Sequence, residues 1–159
     1  MIKDSGFVFL EIIISVTLIG IVFVTLLGIG FLVLNASSSI QKQTQADSLI
    51  KEEFEALRNF RDGTLWATNG LGLVNTGSSN PYYLANNDNQ WVLTAGTETV
   101  GIFTRKIVFD KVSRDGLGNI EDIYNESRKD IDTIKVTITI AWLGKTIQNV
   151  SYLTNWKNV

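Results

Sequence analysis

Twenty-three consecutive residues without a charged side chain, Ile12 to Leu34, constrain this chain more than any other feature. About 20 apolar residues carry a helix across the hydrocarbon core of a bilayer, and a helix satisfies its own backbone there. The run is fronted by an acid. Glu11 follows Phe7-Val8-Phe9-Leu10, which in turn follow Gly6. A carboxylate on a spanning helix costs on the order of 2–3 kcal/mol or more, so an acid in this place points to function. A secretory signal peptide accounts for the segment poorly. Its apolar region is about 7–15 residues long and exits through a small-residue site, and Leu34-Asn35-Ala36 is not such a site. A lipoprotein anchor is excluded because the chain has no cysteine. Lys3 precedes the run, although Asp4 dilutes it, and the first basic residue beyond is Lys42. That asymmetry favours an N-terminus on the cytoplasmic side.

A short polar leader, a glycine, a phenylalanine, a glutamate four residues further on and then a long apolar helix together resemble the N-terminus of the type IV pilin superfamily. That superfamily includes type IV pilins, competence pseudopilins and type II secretion pseudopilins. The resemblance is dense over residues 1–34 and looser beyond. It implies that a prepilin peptidase cuts between Gly6 and Phe7 and that Phe7 is then N-methylated. It further implies that Glu11 recruits or aligns a neighbouring subunit during assembly. The chemistry agrees with such a role. Cleavage creates an α-amino cation on Phe7, methylation keeps the charge, and a cation and a carboxylate attract strongly in low dielectric. The implied partners are the peptidase, other pilin subunits, an assembly platform protein with its ATPase, and the cytoplasmic membrane. The implied path runs from a single-pass membrane protein with an extracytoplasmic head to a pilus or a periplasmic pseudopilus. A strand ending in Trp142, a tight turn and a last strand running into Leu153-Thr154-Asn155-Trp156 is similar to the C-terminus of some minor pilins and pseudopilins.

With the leader and the assembly helix bounded as the resemblance implies, the chain divides into four stretches. Residues 1–6 form the leader and residues 7–36 the membrane and assembly helix. Gly20, Gly28 and Gly30 in that helix suit either a segment that loosens within a filament or close helix packing in lipid. Residues 37–62 continue as an amphipathic helix after a soft polar joint at Asn35–Ser39. Its apolar face is Ala46, Ile50, Phe54, Leu57 and Phe60, at three- and four-residue spacing. Asp47 with Lys51 and Glu55 with Arg58 are spaced to pair along it. Asp62-Gly63 reads as its stop, with Gly63 suited to a left-handed cap. Residues 63–159 form the head, expected to fold without the membrane segment when joined to the helix from about Ser37.

Within the head, Thr64 to Asn89 reads as a loop rich in Gly, Asn, Ser and Thr. Its aromatics, Trp66, Tyr82 and Tyr83, and Trp91 just beyond, suit either an exposed contact surface or a lid over a small core. Gly101–Val112 alternates Phe103, Arg105, Ile107 and Phe109 against Thr104, Lys106 and Val108. Thr133–Trp142 alternates Ile134, Val136, Ile138, Ile140 and Trp142 against Thr133, Lys135, Thr137, Thr139 and Ala141, which is the period of a half-buried strand rich in β-branched residues. Leu143-Gly144-Lys145 turns the chain into a return strand, Thr146–Leu153. The fold class is therefore α+β, one long N-terminal helix with its outer half packed on an antiparallel sheet.

The chemistry left open is narrow. With neither histidine nor cysteine, thiol nucleophiles, histidine bases, thiolate zinc sites and disulfides are excluded together. No phosphate loop or catalytic set is present, so no enzyme activity, cofactor or catalytic residue is expected. A net charge of −2 gives no basic footprint for nucleic acid. Asp110, Asp115, Glu121, Asp122, Glu126, Asp130 and Asp132 make one acidic stretch, and Asp115-Gly116-Leu117-Gly118-Asn119 within it suggests either a calcium loop or a solvated hairpin. It does not follow the EF-hand pattern, and Arg114, Arg128 and Lys129 interleave, so no metal site is assigned. Three Asn-x-Ser/Thr strings occur, at Asn35, Asn125 and Asn149. From another class, the same residues suit a single-pass membrane-anchored extracytoplasmic binding module whose loops form the binding site.

Overall fold

The computed structural model describes residues 5–88 and 90–157 of the 159-residue chain. Residues 1–4, most of the expected leader with Lys3 and Asp4, lie outside the described residues. One helix, α1, runs Ser5–Gly63. The chain divides into two compact units, residues 1–44 and 45–159, and the polar stretch Asn35–Ser39 is helical throughout.

In the first unit every apolar side chain from Phe7 to Leu34 is exposed. Such a surface is stable as a helix only where water is absent or another apolar surface covers it. Its threonine hydroxyls bond back to the helix. The Thr17 hydroxyl donates to the Ile13 carbonyl at 2.7 Å and that of Thr25 to the Val22 carbonyl at 2.8 Å, as threonines do in an apolar medium.

In the second unit the last five turns of α1 lie on an antiparallel sheet of six strands, an α+β fold. The strands are β1 (Tyr82–Asn87), β2 (Gln90–Ala95), β3 (Glu98–Val100), β4 (Phe103–Ser113), β5 (Lys129–Trp142) and β6 (Lys145–Thr154). Their order is β2-β1-β4-β5-β6, with β3 also paired to β4. The inner face of β5 is the one its alternation predicts: Ile134, Val136, Ile138, Ile140 and Trp142 are all buried. They meet Ala46, Ile50, Ala56 and Leu57 from the helix, while Phe54 and Phe60 flank the core half-buried. The β5–β6 hairpin pairs without interruption from Trp142↔Lys145 to Thr133↔Thr154. Leu143 and Gly144 both take positive φ, 45° and 75°, the primed turn whose twist matches the strands.

Four local expectations change. Residues 64–89 are not one loop, because β1 pairs with β2 from Tyr82↔Ala95 to Asn87↔Gln90. The aromatics there cover the core: Trp66 is buried, Tyr82 and Trp91 pack against the cluster, and Tyr82 meets Phe109 edge-on at 5.6 Å. Gly63 is not left-handed; Thr64 ends the helix instead, its hydroxyl donating to the Phe60 carbonyl at 2.8 Å. Glu55 and Arg58 pair at 2.5 Å, but among the described residues no ion pair joins Asp47 to Lys51. Finally, β5 begins earlier than expected, because the β4–β5 register jumps from Lys111↔Ile134 to Val112↔Asp130 and pushes residues 131–133 out of the ladder.

Leu57 is fully buried at the centre of the helix–sheet contact. Leu57→Ala is expected to cost about 2–5 kcal/mol. Thermal melting of the full chain in detergent should fall by roughly 8–20 °C, at about 4 °C per kcal/mol for a unit of this size. An unchanged melting temperature would remove the helix from the core.

Candidate membrane-assembly site

Gly6, Phe7 and Glu11 all lie on α1 in the first unit. Phe7 and Glu11 are separated by four residues, about 6 Å along the axis, and so share a face one turn apart. Both are exposed, Phe7 at 77%. Between Asp4 and Lys42 the only charged residue is Glu11, and among the described residues no cation pairs with it. The site is therefore a lone carboxylate at the head of a bare apolar helix. Gly20, Gly28 and Gly30 open onto empty space, since a methyl group at any of them would meet nothing within 4 Å. Packing within the chain does not require these glycines. This helix is long and apolar enough to span a membrane, with a mean hydropathy of 2.8 over its best 18 residues. It is consistent with single-pass anchoring.

Three acids of the stretch in the head pair with its own basic residues. Arg114 Nε lies 2.5 Å from Asp130 Oδ2, Arg128 pairs with Glu121, and Lys111 reaches Glu126 at 3.5 Å. Asp115 closes its own turn, its Oδ1 accepting from the amides of Leu117 at 2.9 Å and Asn119 at 2.8 Å. Hydrogen bonds from the Asn119 side chain and then its amide hold the Asp115 carboxyl below its ordinary pKa. Among the described residues no group of three or more His, Cys, Asp or Glu side chains stands where it could hold a metal ion. The last residues strap the second unit together. Trp156 Nε1 donates to Asp62 Oδ1 at 2.9 Å, and Asn155 bonds Asp132 through both its amide and its side chain.

One cluster stands out that reading the sequence missed. Glu53 sits on the apolar face of α1, three residues after Ile50 and four before Leu57, and is fully buried. Its Oε1 accepts from the Leu84 amide at 3.0 Å. Its Oε2 lies 2.9 Å from Arg105 Nη1, but the angle is not that of a hydrogen bond and the oxygen has no other donor. Arg105, on the inner face of β4 and only 5% exposed, also meets Glu98 through Nε at 2.5 Å, Glu52 through Nη1 at 3.2 Å and the Leu84 carbonyl through Nη2 at 3.3 Å. One cation thus ties α1, β1, β3 and β4 together. Burial raises the Glu53 pKa above its ordinary value, with the Leu84 amide and Arg105 pulling the other way and Glu98 and Glu52 adding to the rise. Burial also works against the Arg105 charge, but Glu53, Glu98 and Glu52 outweigh it and push that pKa up. The signal was in the pattern: an acid inside a helical apolar stripe, and an arginine among Phe103, Ile107 and Phe109 on the inward side of a strand.

Comparison with family models, with curated proteins and with solved structures finds no match to this chain.

Proposed function

We propose that this chain is a structural subunit of a type IV pilus or a related secretion or competence filament, in the manner of a minor pilin or pseudopilin. It is a substrate rather than an enzyme. A prepilin peptidase hydrolyses the Gly6–Phe7 bond and methylates the new amine. The processed chain waits in the cytoplasmic membrane with its head outside. A platform protein and its ATPase then draw it into the filament, where Glu11 faces the Phe7 amine of a neighbour.

The observation that carries this reading is the lone carboxylate Glu11, one turn beyond Phe7 and four residues past it, on a stretch of α1 that is otherwise uncharged from residue 5 to residue 41 and whose apolar side chains are exposed. A plain anchor has no use for a charge in that place, which is costly in lipid. The helix-and-antiparallel-sheet fold agrees with it.

Intact-mass analysis of the protein from its own host tests the reading. The expected result is loss of residues 1–6 and gain of one methyl group on Phe7. Retention of the leader would overturn it and favour a membrane-anchored binding module, as would cleavage near Ala36.

A further inference from the structure

We infer that β6, an edge of the sheet, pairs antiparallel with β6 of a second copy about a two-fold axis at Val150, so that the sheets of two heads become one. The contact lies wholly within the second unit.

β6 closes one side of the sheet and is ten residues long. Its hydrogen bonding follows from the turn before it. Leu143 and Gly144 make a two-residue turn, so the closing pair Trp142↔Lys145 is hydrogen-bonded and bonded pairs alternate from there. Lys145, Ile147, Asn149, Ser151 and Leu153 thus bond to β5. Thr146, Gln148, Val150, Tyr152 and Thr154 turn their N–H and C=O groups the other way, and all of them are exposed. Among the described residues, none of these makes a backbone hydrogen bond outside the ladders of the sheet. Such a row of backbone groups is what an added strand bonds to.

A sheet edge left to water is ordinarily guarded by a charge, a proline or a bulge. Between Thr146 and Thr154 this strand has neither charge nor proline, and its register with β5 is unbroken.

The strand's own sequence selects the occupant, because it is nearly palindromic about Val150. A two-fold axis there sets Thr146 against Thr154, Ile147 against Leu153, Gln148 against Tyr152 and Asn149 against Ser151. Threonine meets threonine, aliphatic meets aliphatic and uncharged polar meets uncharged polar, and no like charges oppose each other. Ile147 and Leu153 both already pack in the core cluster, so their pairing carries the apolar inner face of one sheet into the next. On the outer face Val150, 49% exposed, meets its own copy, and Tyr152, 44% exposed, flanks it. Because Val150 turns its backbone groups outward in both copies, the axis falls on a hydrogen-bonded pair, as an antiparallel ladder requires. The opposite edge, β2, is six residues long and has no such symmetry. The contact is isologous, so each copy uses up its own edge and the assembly closes at two. This inference concerns the head alone and does not depend on the fate of the leader.

The full chain purified in detergent from its own host tests the contact. It has no cysteine, so an introduced thiol is the only one present. Val150→Cys places two thiols across a pair whose Cα atoms stand about 5.5 Å apart, inside the disulfide range of about 4.4–6.8 Å. With copper phenanthroline and oxygen to accept the two electrons and two protons released, a disulfide dimer is expected. Thr137, which pairs with Val150 on β5, lies three strand spacings from its own copy, about 14 Å, and Thr137→Cys should not cross-link. Val150→Lys and Val150→Glu, each alone, put like charges on the axis and should weaken dimerisation several-fold in sedimentation. Mixed in equal parts, they should restore it. Three results would overturn the inference: a Val150→Cys chain that stays monomeric, assembly that continues past the dimer, or a dimer indifferent to charge at residue 150. The last would place association elsewhere, in the apolar helix for example. The cysteine variant decides even where a charge disturbs the strand. Intact mass of the same protein keeps the two readings apart. A dimer with the leader retained defeats only the filament, and a processed chain without the dimer defeats only this contact.

Discussion

Arg105→Met is expected to destabilise the head by about 3–5 kcal/mol at neutral pH, the usual cost of removing one partner of a buried ion pair. Methionine keeps the apolar stem of arginine and removes its guanidinium, so packing along the stem is largely kept. What changes is that Glu53, fully buried, faces only the Leu84 amide, while Glu98 and Glu52 lose the cation that held them. Against a total stability of about 5–15 kcal/mol, such a loss leaves a large unfolded fraction in a marginal domain. Glu53→Gln should cost far less. The amide oxygen still accepts from Leu84, the fully buried carboxylate charge is gone, and Arg105 retains Glu98 and Glu52. Its effect should lie within about 1 kcal/mol of zero, and the pair Arg105→Met with Glu53→Gln should lose less than the sum of the two single changes. Denaturant melts of the full chain in detergent measure all three. Strict additivity would show that Glu53 and Arg105 do not act on each other.

The sign of the pH dependence follows from the same geometry. Burial, against the pull of Leu84 and Arg105, raises the folded pKa of Glu53 above its ordinary 4.5, so the folded state holds this proton more tightly than the unfolded one. The contribution to stability is then complete below pH 4.5 and is lost as the pH rises through the higher folded value. In Arg105→Met the pull of the cation is gone and the folded pKa rises further. The deficit of that variant should therefore shrink on acidification toward pH 4.5. Glu53→Gln should remove this component from the profile.

What the sequence made legible and what it hid divide along one line. Where a single face is buried, period decides the reading: β5 alternates because its inner face lies on α1, and Ala46, Ile50 and Leu57 recur because they form the other side of that contact. Where local composition and tertiary pairing disagree, pairing wins. Asn86 and Asn87 look like loop, yet β1 is a strand because β2 and the Tyr82↔Ile107 contact with β4 complete its ladder. The jump between Lys111 and Val112 depends on the partner strand and leaves no local trace. Glu53 and Arg105 each look like an error in an apolar pattern when read alone. They make sense only as a pair, and pairing across a separation of 52 residues is not visible in periodicity. At the N-terminus the reverse holds. The uncharged run behind Glu11 is legible as a helix long and apolar enough to cross a membrane, because a bilayer, unlike a folded core, sets its requirement residue by residue along the chain.

Under the proposed filament function, Glu11→Gln should leave cleavage after Gly6, membrane insertion and folding of the head intact, yet lower incorporation into filaments by about tenfold or more. Processing acts at Gly6–Phe7, five residues upstream, and a neutral amide inserts into lipid more easily than a carboxylate. Assembly is different. The amine of a processed Phe7 adds its charge to the partial positive charge of the first helical amides. In low dielectric that site needs a full negative charge opposite it, and an amide oxygen supplies only a dipole. Within one chain Phe7 and Glu11 are one turn apart, so an intrachain pair is the competing arrangement. It would make Glu11→Gln costly for the isolated subunit, whereas pairing between subunits makes it costly only in the filament. The measurement is the ratio of Glu11→Gln protein in sheared filaments to that in the membrane, beside the same ratio for the unaltered chain. A tip subunit, with few such contacts, should show a smaller drop than one that repeats along the shaft. A ratio equal to that of the unaltered chain, with processing normal, would leave Glu11 without a part in assembly and return the chain to an anchored binding module. A depleted membrane pool with normal processing would instead place the pair inside one chain.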